Sequence, residues 1–226
     1  MLGMIWWCRS WAVKWIWVNI LSLLVLAGMA ATNLDRLQQL ALSRYGVEVA
    51  RLVGEWRTLL PPVPGSNELD KLERINNFFN RRIRWVEDSV LWQQDDYWAT
   101  VLETLGKGAG DCEDFAIAKY VSLLLAGVPE SKLRLTYVRL QRPERTEPEA
   151  HMILAYYATP SSEPLILDNF NPDIKPAAQR PDLTPVYAFN ATQLWFRGPN
   201  PSSSDPTVRI SRWRDVLARL QAEHTL

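Results

Sequence analysis

The chain changes its hydrophobic period once, near residue 130, and that change decides what it can fold into. Upstream, apolar residues recur at helical spacing: Leu34, Leu37, Leu40, Ala41 and Tyr45 within 33–57, then Leu69, Leu72, Ile75, Phe78, Phe79 and Ile83. PPVPG (61–65) separates the two helices, and Ser66 or Asn67 can cap the second, with Glu68 and Asp70 as first-turn acids. A short helix is expected over 99–105, and a longer one begins at DCEDFA and is closed by Gly127 and Pro129. Downstream, LRLTYVRL (133–140), HMILAYY (151–157) and PLILD (164–168) are rich in β-formers and read as strands. VYAFN and QLWFRG add two strand candidates, and RWRDVLARLQAEH (212–224) reads as a terminal helix. Helices first and an antiparallel sheet afterwards specify an α+β fold, with N-terminal helices packed on the sheet.

The first thirty residues follow a different rule. Residues 1–15 carry Arg9 and Lys14 and no acid, and an apolar run, IWVNILSLLVLAGMAA, ends in the small residues Gly28 and Ala30. This is the pattern of a secretory signal peptide over 1–30, and the run is shorter than the ~20 residues of a spanning helix. The rival is an uncleaved N-terminal anchor, to which Trp6, Trp7, Trp11, Trp15 and Trp17 lend weight. Either reading leaves 31–226 as a single exported domain. The 25 Lys and Arg balance 25 Asp and Glu, which argues against a nucleic-acid partner. Two cysteines, Cys8 and Cys112, exclude a disulfide framework, and two histidines, His151 and His224, exclude a His-rich zinc site.

With so few candidates, Cys112 stands out. It follows GKGAG (106–110), which lacks the Lys-Ser/Thr ending of a phosphate loop, and it opens a helix. A helix start presents unpaired N–H groups and the positive end of the dipole, which favour a thiolate and lower a cysteine pKa. The rival reading is a small buried hydrophobe. His151 starts one strand and Asp168 ends the next. A hairpin closing over 158–161 would set 151 opposite 168, with Cβ atoms about 4.5–5.5 Å apart. A one-residue slip would send the two to opposite faces. Asp168 could then hold one ring nitrogen of His151 and leave the other for Cys112, the logic of nucleophile, base and orienting acid. Asp111, Glu113 and Asp114, with Asp95 and Asp96 upstream, are either solvated acids of a first helical turn or hard oxygen ligands for Ca²⁺. Carboxylates beside a thiol oppose its ionisation, and a bound cation would cancel their charge. Trp85, Trp92 and Trp98 are either core or the lining of a substrate or partner surface.

GDCEDFAIAKY (110–120), HMIL (151–154) and LDN (167–169), with DYWAT (96–100) and LGKGAGDCEDFA (105–116), resemble the bacterial transglutaminase-like cysteine proteinases over about residues 67–197. The resemblance implies a papain/transglutaminase-like cysteine protease fold and a triad of Cys112, His151 and Asp168. It implies a Ca²⁺ requirement, with Asp111, Glu113 and Asp114 as the ligands. It also implies a periplasmic endopeptidase that cuts a large RTX-type surface adhesin near its N-terminus at a paired-alanine site. That cut would release the adhesin and disperse a biofilm, under control of an inner-membrane cyclic-di-GMP receptor. Val101 stands after DYWAT where the family pattern expects proline, which bears on local loop shape. Two alternatives use the same residues: an acyl transferase of transglutaminase or amidase type, and a non-catalytic binding module on that fold.

Overall fold

Two helices at near-continuous spacing open the described residues, one over 33–45 (α1) and one over Val47–Arg57 (α2). The single helix expected over 33–57 is broken because Gly46 takes φ +89°, a left-handed conformation that glycine adopts without Cβ strain. The computed structural model describes residues 33–196 and 200–226; the leader or anchor expected over 1–30 lies outside the described residues. Among the described residues no helix is long and apolar enough to cross a membrane. Helix α3 (Glu68–Arg82) starts at Asn67, whose side chain accepts from the Asp70 N–H while the Asp70 carboxylate accepts from the Asn67 N–H. Of its apolar stripe, Leu72, Ile75 and Phe79 are buried but Leu69 is 48% exposed, so the core-facing arc is narrower than the spacing implies.

A two-residue strand, β1 (Arg84–Trp85), and a short helix, α4 (Asp88–Leu91), lead to α5 (Val101–Lys107). Thr100 caps α5 in a reciprocal pair with Glu103. Val101 is the first residue of that helix, where an N–H needs no intrahelical acceptor, so valine serves where proline was expected. Strand β2 (Ala109–Gly110) pairs in parallel with β1 and delivers the chain to α6 (Cys112–Leu125). Helix α6 is buried from Asp114 to Leu123, packed against α3 and α5 and against the sheet. Burial of side chains such as Trp56, Phe79 and Tyr120 stabilises the fold by about 1.5–3 kcal/mol each.

The sheet is antiparallel throughout, with β3 (Leu133–Leu140), β4 (Glu149–Tyr156), β5 (Leu165–Leu167), β6 (Lys175–Pro176), β7 (Leu183–Phe189) and β8 (Leu194–Trp195) in the order β6-β5-β4-β3-β7-β8. Helices α7 (Pro206–Arg209) and α8 (Ser211–Ala222) close the chain, and Trp213 of α8 donates its indole N–H to the Asn190 carbonyl.

The β4–β5 register differs from the expected one. Leu154 pairs with Leu167 and Ala155 with Ile166, so the ladder continues to Asp168 opposite Ile153, not opposite His151. The reason is the turn. It closes over Thr159–Ser162, where the Ser162 N–H donates to the Thr159 carbonyl at 3.0 Å, with Pro160 at its second position. Starting the turn one residue later than 158 moves every pairing by two, which preserves the face of each side chain. His151 and Asp168 therefore remain on one face as diagonal neighbours.

Candidate active site

That diagonal relation selects the ring nitrogen. Diagonal neighbours lie about 7–8 Å apart, a span that suits the far nitrogen of an imidazole. His151 Nε2 lies 2.8 Å from Asp168 Oδ1, and both side chains are buried. The Asp168 pKa is lowered to about 2: burial alone would raise it, but His151, Arg180 and the Phe170 N–H outweigh that effect. An ionised carboxylate only accepts, so Nε2 carries the ring proton and the Nδ1 lone pair is left to act as a base. The His151 ring stacks on Phe170, with centroids 4.9 Å apart.

Asp168 is held from every side. Its Oδ2 accepts from Arg180 Nη2 at 2.8 Å, and Arg180 is fixed in turn by Asp182 through Nε at 3.0 Å and Nη2 at 2.7 Å. On α3, interleaved with the apolar stripe, Asn80 donates to the Asp168 carbonyl and Asn76 to the Pro172 carbonyl, each at 2.8 Å. Sequence reading missed Arg180, Asp182 and both asparagines. The arginine lies in a Pro-rich loop with no motif around it, and only the four-residue spacing of Asn76 and Asn80 on a core face hinted at a polar task.

Cys112 is the first residue of α6 and opens into a cleft of about 590 Å³ shared with His151, Trp85 and Phe170. The Met152 N–H, next to His151 on β4, acts on the sulfur and favours its charged form. The larger effects run the other way. Burial, then Glu113 and Asp111, push the thiol pKa well above its usual value, and the thiol donates to Glu113 Oε2 at 3.0 Å. The expectation that the helix start lowers this pKa is thus reversed. A dipole contributes about 0.3–1 kcal/mol at an exposed end, less than burial beside two carboxylates removes.

The acids form one cluster. Asp88, Asp111 and Asp114 each bring an oxygen within 4.8 Å of the others, as do Asp88, Asp96 and Glu113. Asp88, at the start of α4, was missed; the acid-rich stretch upstream was its only signal. Asp95 lines the cleft but joins neither group. Asp114 is folded inward: its Oδ1 accepts from the Ala99 N–H at 2.7 Å and its Oδ2 from the Asp111 N–H at 3.4 Å. Gly110 permits this, since a Cβ there would lie 2.5 Å from Asp114 Oδ2. Asp96 is partly engaged, by Trp98 Nε1 at 2.8 Å and Arg212 at 3.0 Å. Oδ1 of Asp88 and Oδ1 of Asp111 are buried without a partner. Burial raises the Asp88 pKa to about 6, and burial with Glu113 and Asp114 raises that of Asp111 to about 10. Clustered, underpartnered carboxylate oxygens fit a hard cation of Ca²⁺ type. Of the tryptophans, Trp85 is 47% exposed at the cleft rim and Trp98 is core, stacked on Phe189. Trp92 packs against Tyr97.

The family described as bacterial transglutaminase-like cysteine proteinases matches residues 61–190. Among solved structures, LapG of Legionella pneumophila is 37% identical, with a TM-score of 0.69, and the match covers 83% of this chain and 97% of that one. Its calcium-bound form matches at 37% identity and TM-score 0.69, over 83% of this chain and 98% of that one. Its EGTA-treated form matches at 37% identity and TM-score 0.72, over 83% and 97%. No curated protein matches the chain.

Proposed function

The chain belongs to the bacterial transglutaminase-like cysteine proteinases, and on that footing we propose that it is a calcium-dependent cysteine endopeptidase working through Cys112, His151 and Asp168. One observation carries the triad: His151 Nε2 is tied to Asp168 while Cys112 opens into the same cleft. Cys112 Sγ attacks the scissile carbonyl. His151 Nδ1 takes the thiol proton and returns it to the leaving amine. Asp168, braced by Arg180, keeps the ring in the productive tautomer. The Cys112 N–H, free of an intrahelical partner in the first turn, is placed to stabilise the oxyanion.

Asp88, Asp111, Glu113 and Asp114, with Asp96 beside them, would hold the Ca²⁺. The cation supplies positive charge that offsets these carboxylates and lowers the cost of a thiolate at Cys112. LapG of Legionella, solved in calcium-bound form, supports this reading.

The proposed substrate is the N-terminal region of a large RTX-type surface adhesin, cut in the periplasm to release it and promote biofilm dispersal. The proposed regulator is an inner-membrane cyclic-di-GMP receptor. Family membership supports both, and the leader pattern of residues 1–30 supports export. Incubation with the N-terminal fragment of such an adhesin tests the reading. Wild type with Ca²⁺ should cut it, and Cys112→Ala should not, at an unchanged melting temperature. Wild-type-level cleavage by the variant would remove the cysteine mechanism.

A further inference from the structure

The outer face of the sheet carries a second cavity, of about 690 Å³, larger than the catalytic cleft and within the size range of ligand pockets. Val138, Ile153, Ala155 and Ile166 form an apolar floor there, and among the described residues no acidic side chain lines it. Arg134 of β3 is set into that floor and is 5% exposed. Its guanidinium lies between two rings, 4.0 Å from the Tyr157 centroid and 4.2 Å from that of Trp195. Its Nε is buried without a partner, and among the described residues no carboxylate pairs with it. Arg180, on the same wall, directs Nη2 to Asp168 and Asp182 but leaves Nη1 buried without a partner.

Two stacked aromatic rings satisfy the faces of a guanidinium but not its edge. A buried arginine with an unpartnered Nε and no carboxylate to balance its charge is built to receive an anion, since burying an unpaired charge is costly. We propose that this groove binds a polypeptide segment carrying an acidic side chain between apolar residues, the carboxylate pairing with Arg134. Arg180 Nη1 is a second donor on the same wall. A polypeptide fits better than a compact organic acid because the lining is itself widely open and apolar: Val186 and Phe196 in it are 41% and 52% exposed, surface that a flanking apolar side chain would cover.

The test is calorimetric titration of the full-length protein with three probes: an acetylated, amidated Phe-Asp-Phe tripeptide, its Phe-Asn-Phe counterpart, and indole-3-acetate. The Asp peptide should bind saturably, and the Asn peptide at least tenfold more weakly. Arg134→Met should reduce the Asp peptide to the level of the Asn peptide. Arg134→Lys, which keeps the charge but not the planar edge, should fall between. The Asp/Asn comparison on wild type requires no variant to fold. Equal affinity for the two peptides, no binding of either, or an Asp preference that survives Arg134→Met would overturn the proposal. Binding of indole-3-acetate without the peptides would overturn its polypeptide assignment. None of these readouts uses proteolysis, so failure here leaves the protease reading standing.

Discussion

The molecule buries carboxylates in two places and treats them in opposite ways. At the His151 end, Asp168 meets an imidazole, a guanidinium and a backbone N–H, and its pKa falls to about 2. At the Cys112 end, Asp88, Asp111 and Asp114 meet backbone N–H groups and one another but no cationic side chain of comparable reach, and burial with mutual repulsion raises every one of their pKa values. Burial is common to both regions; counter-charge is the difference. The first region is electrostatically complete within the chain. The second lacks a counter-charge of its own, which the proposed cation would supply, and the nucleophile lies beside it.

The largest effect is expected on the complete side. Asp168→Ala deprives His151 of its acceptor and leaves Arg180 buried with Asp182 alone. Stability should fall by about 3–5 kcal/mol in urea titration, the usual result of removing one partner of a buried pair. Cleavage should fall by about 10⁴-fold. A variant as stable as wild type would show that Asp168 does not hold this region together.

The acid cluster should respond with the opposite sign. In EGTA, Asp111→Asn removes the cost of holding a buried carboxyl in its protonated form and should raise the melting temperature. In wild type, Ca²⁺ at ~100 times its dissociation constant should add about 2.7 kcal/mol. Asp111→Asn should lose most of that increment, and Mg²⁺ should replace Ca²⁺ poorly because it gives up water reluctantly. A wild type that melts alike in Ca²⁺ and EGTA would make the cluster an ordinary solvated helix start.

The two regions also separate along the pH axis. The folded pKa of Asp168, about 2, lies below its unfolded value. Its contribution of roughly 2 kcal/mol is therefore present above pH ~4 and lost as pH falls towards 2. The folded pKa of Asp88, about 6, lies above its unfolded value. The folded state then binds the extra proton, and protein in EGTA should lose stability as pH rises from ~4, through Asp88 up to about 6 and through Asp111 beyond it. Ca²⁺ should abolish that second slope and leave the first. Denaturant midpoints across pH, with and without Ca²⁺, separate the two.

The same contrast marks what the sequence made legible. Strand β3 was readable to the residue, because alternation and β-branching agree over 133–140. The sharing of a face by His151 and Asp168 survived a wrong register, since the turn shifted the pairing by an even number. The start of α6 followed from local chemistry alone, as did a cap at Ser66 or Asn67, which the structure places at Asn67. What stayed hidden is long-range. Asp88 reaches the cluster from 23 positions before Asp111. Arg180 reaches Asp168 from a loop without periodicity. The break at Gly46 shows no polar signal, because the helical spacing resumes at once. The direction of the Cys112 pKa shift depends on burial, which a dipole argument from position does not contain.

The central claim is that the cation completes the nucleophile's surroundings, and the pH dependence of Cys112 alkylation tests it most directly. Iodoacetamide modification at Cys112, followed by peptide mass spectrometry across pH in Ca²⁺ and in EGTA, reports the thiolate itself. The account expects the alkylation midpoint to shift to lower pH on adding Ca²⁺, with no such shift in Asp111→Asn. A midpoint identical in Ca²⁺ and EGTA would contradict it.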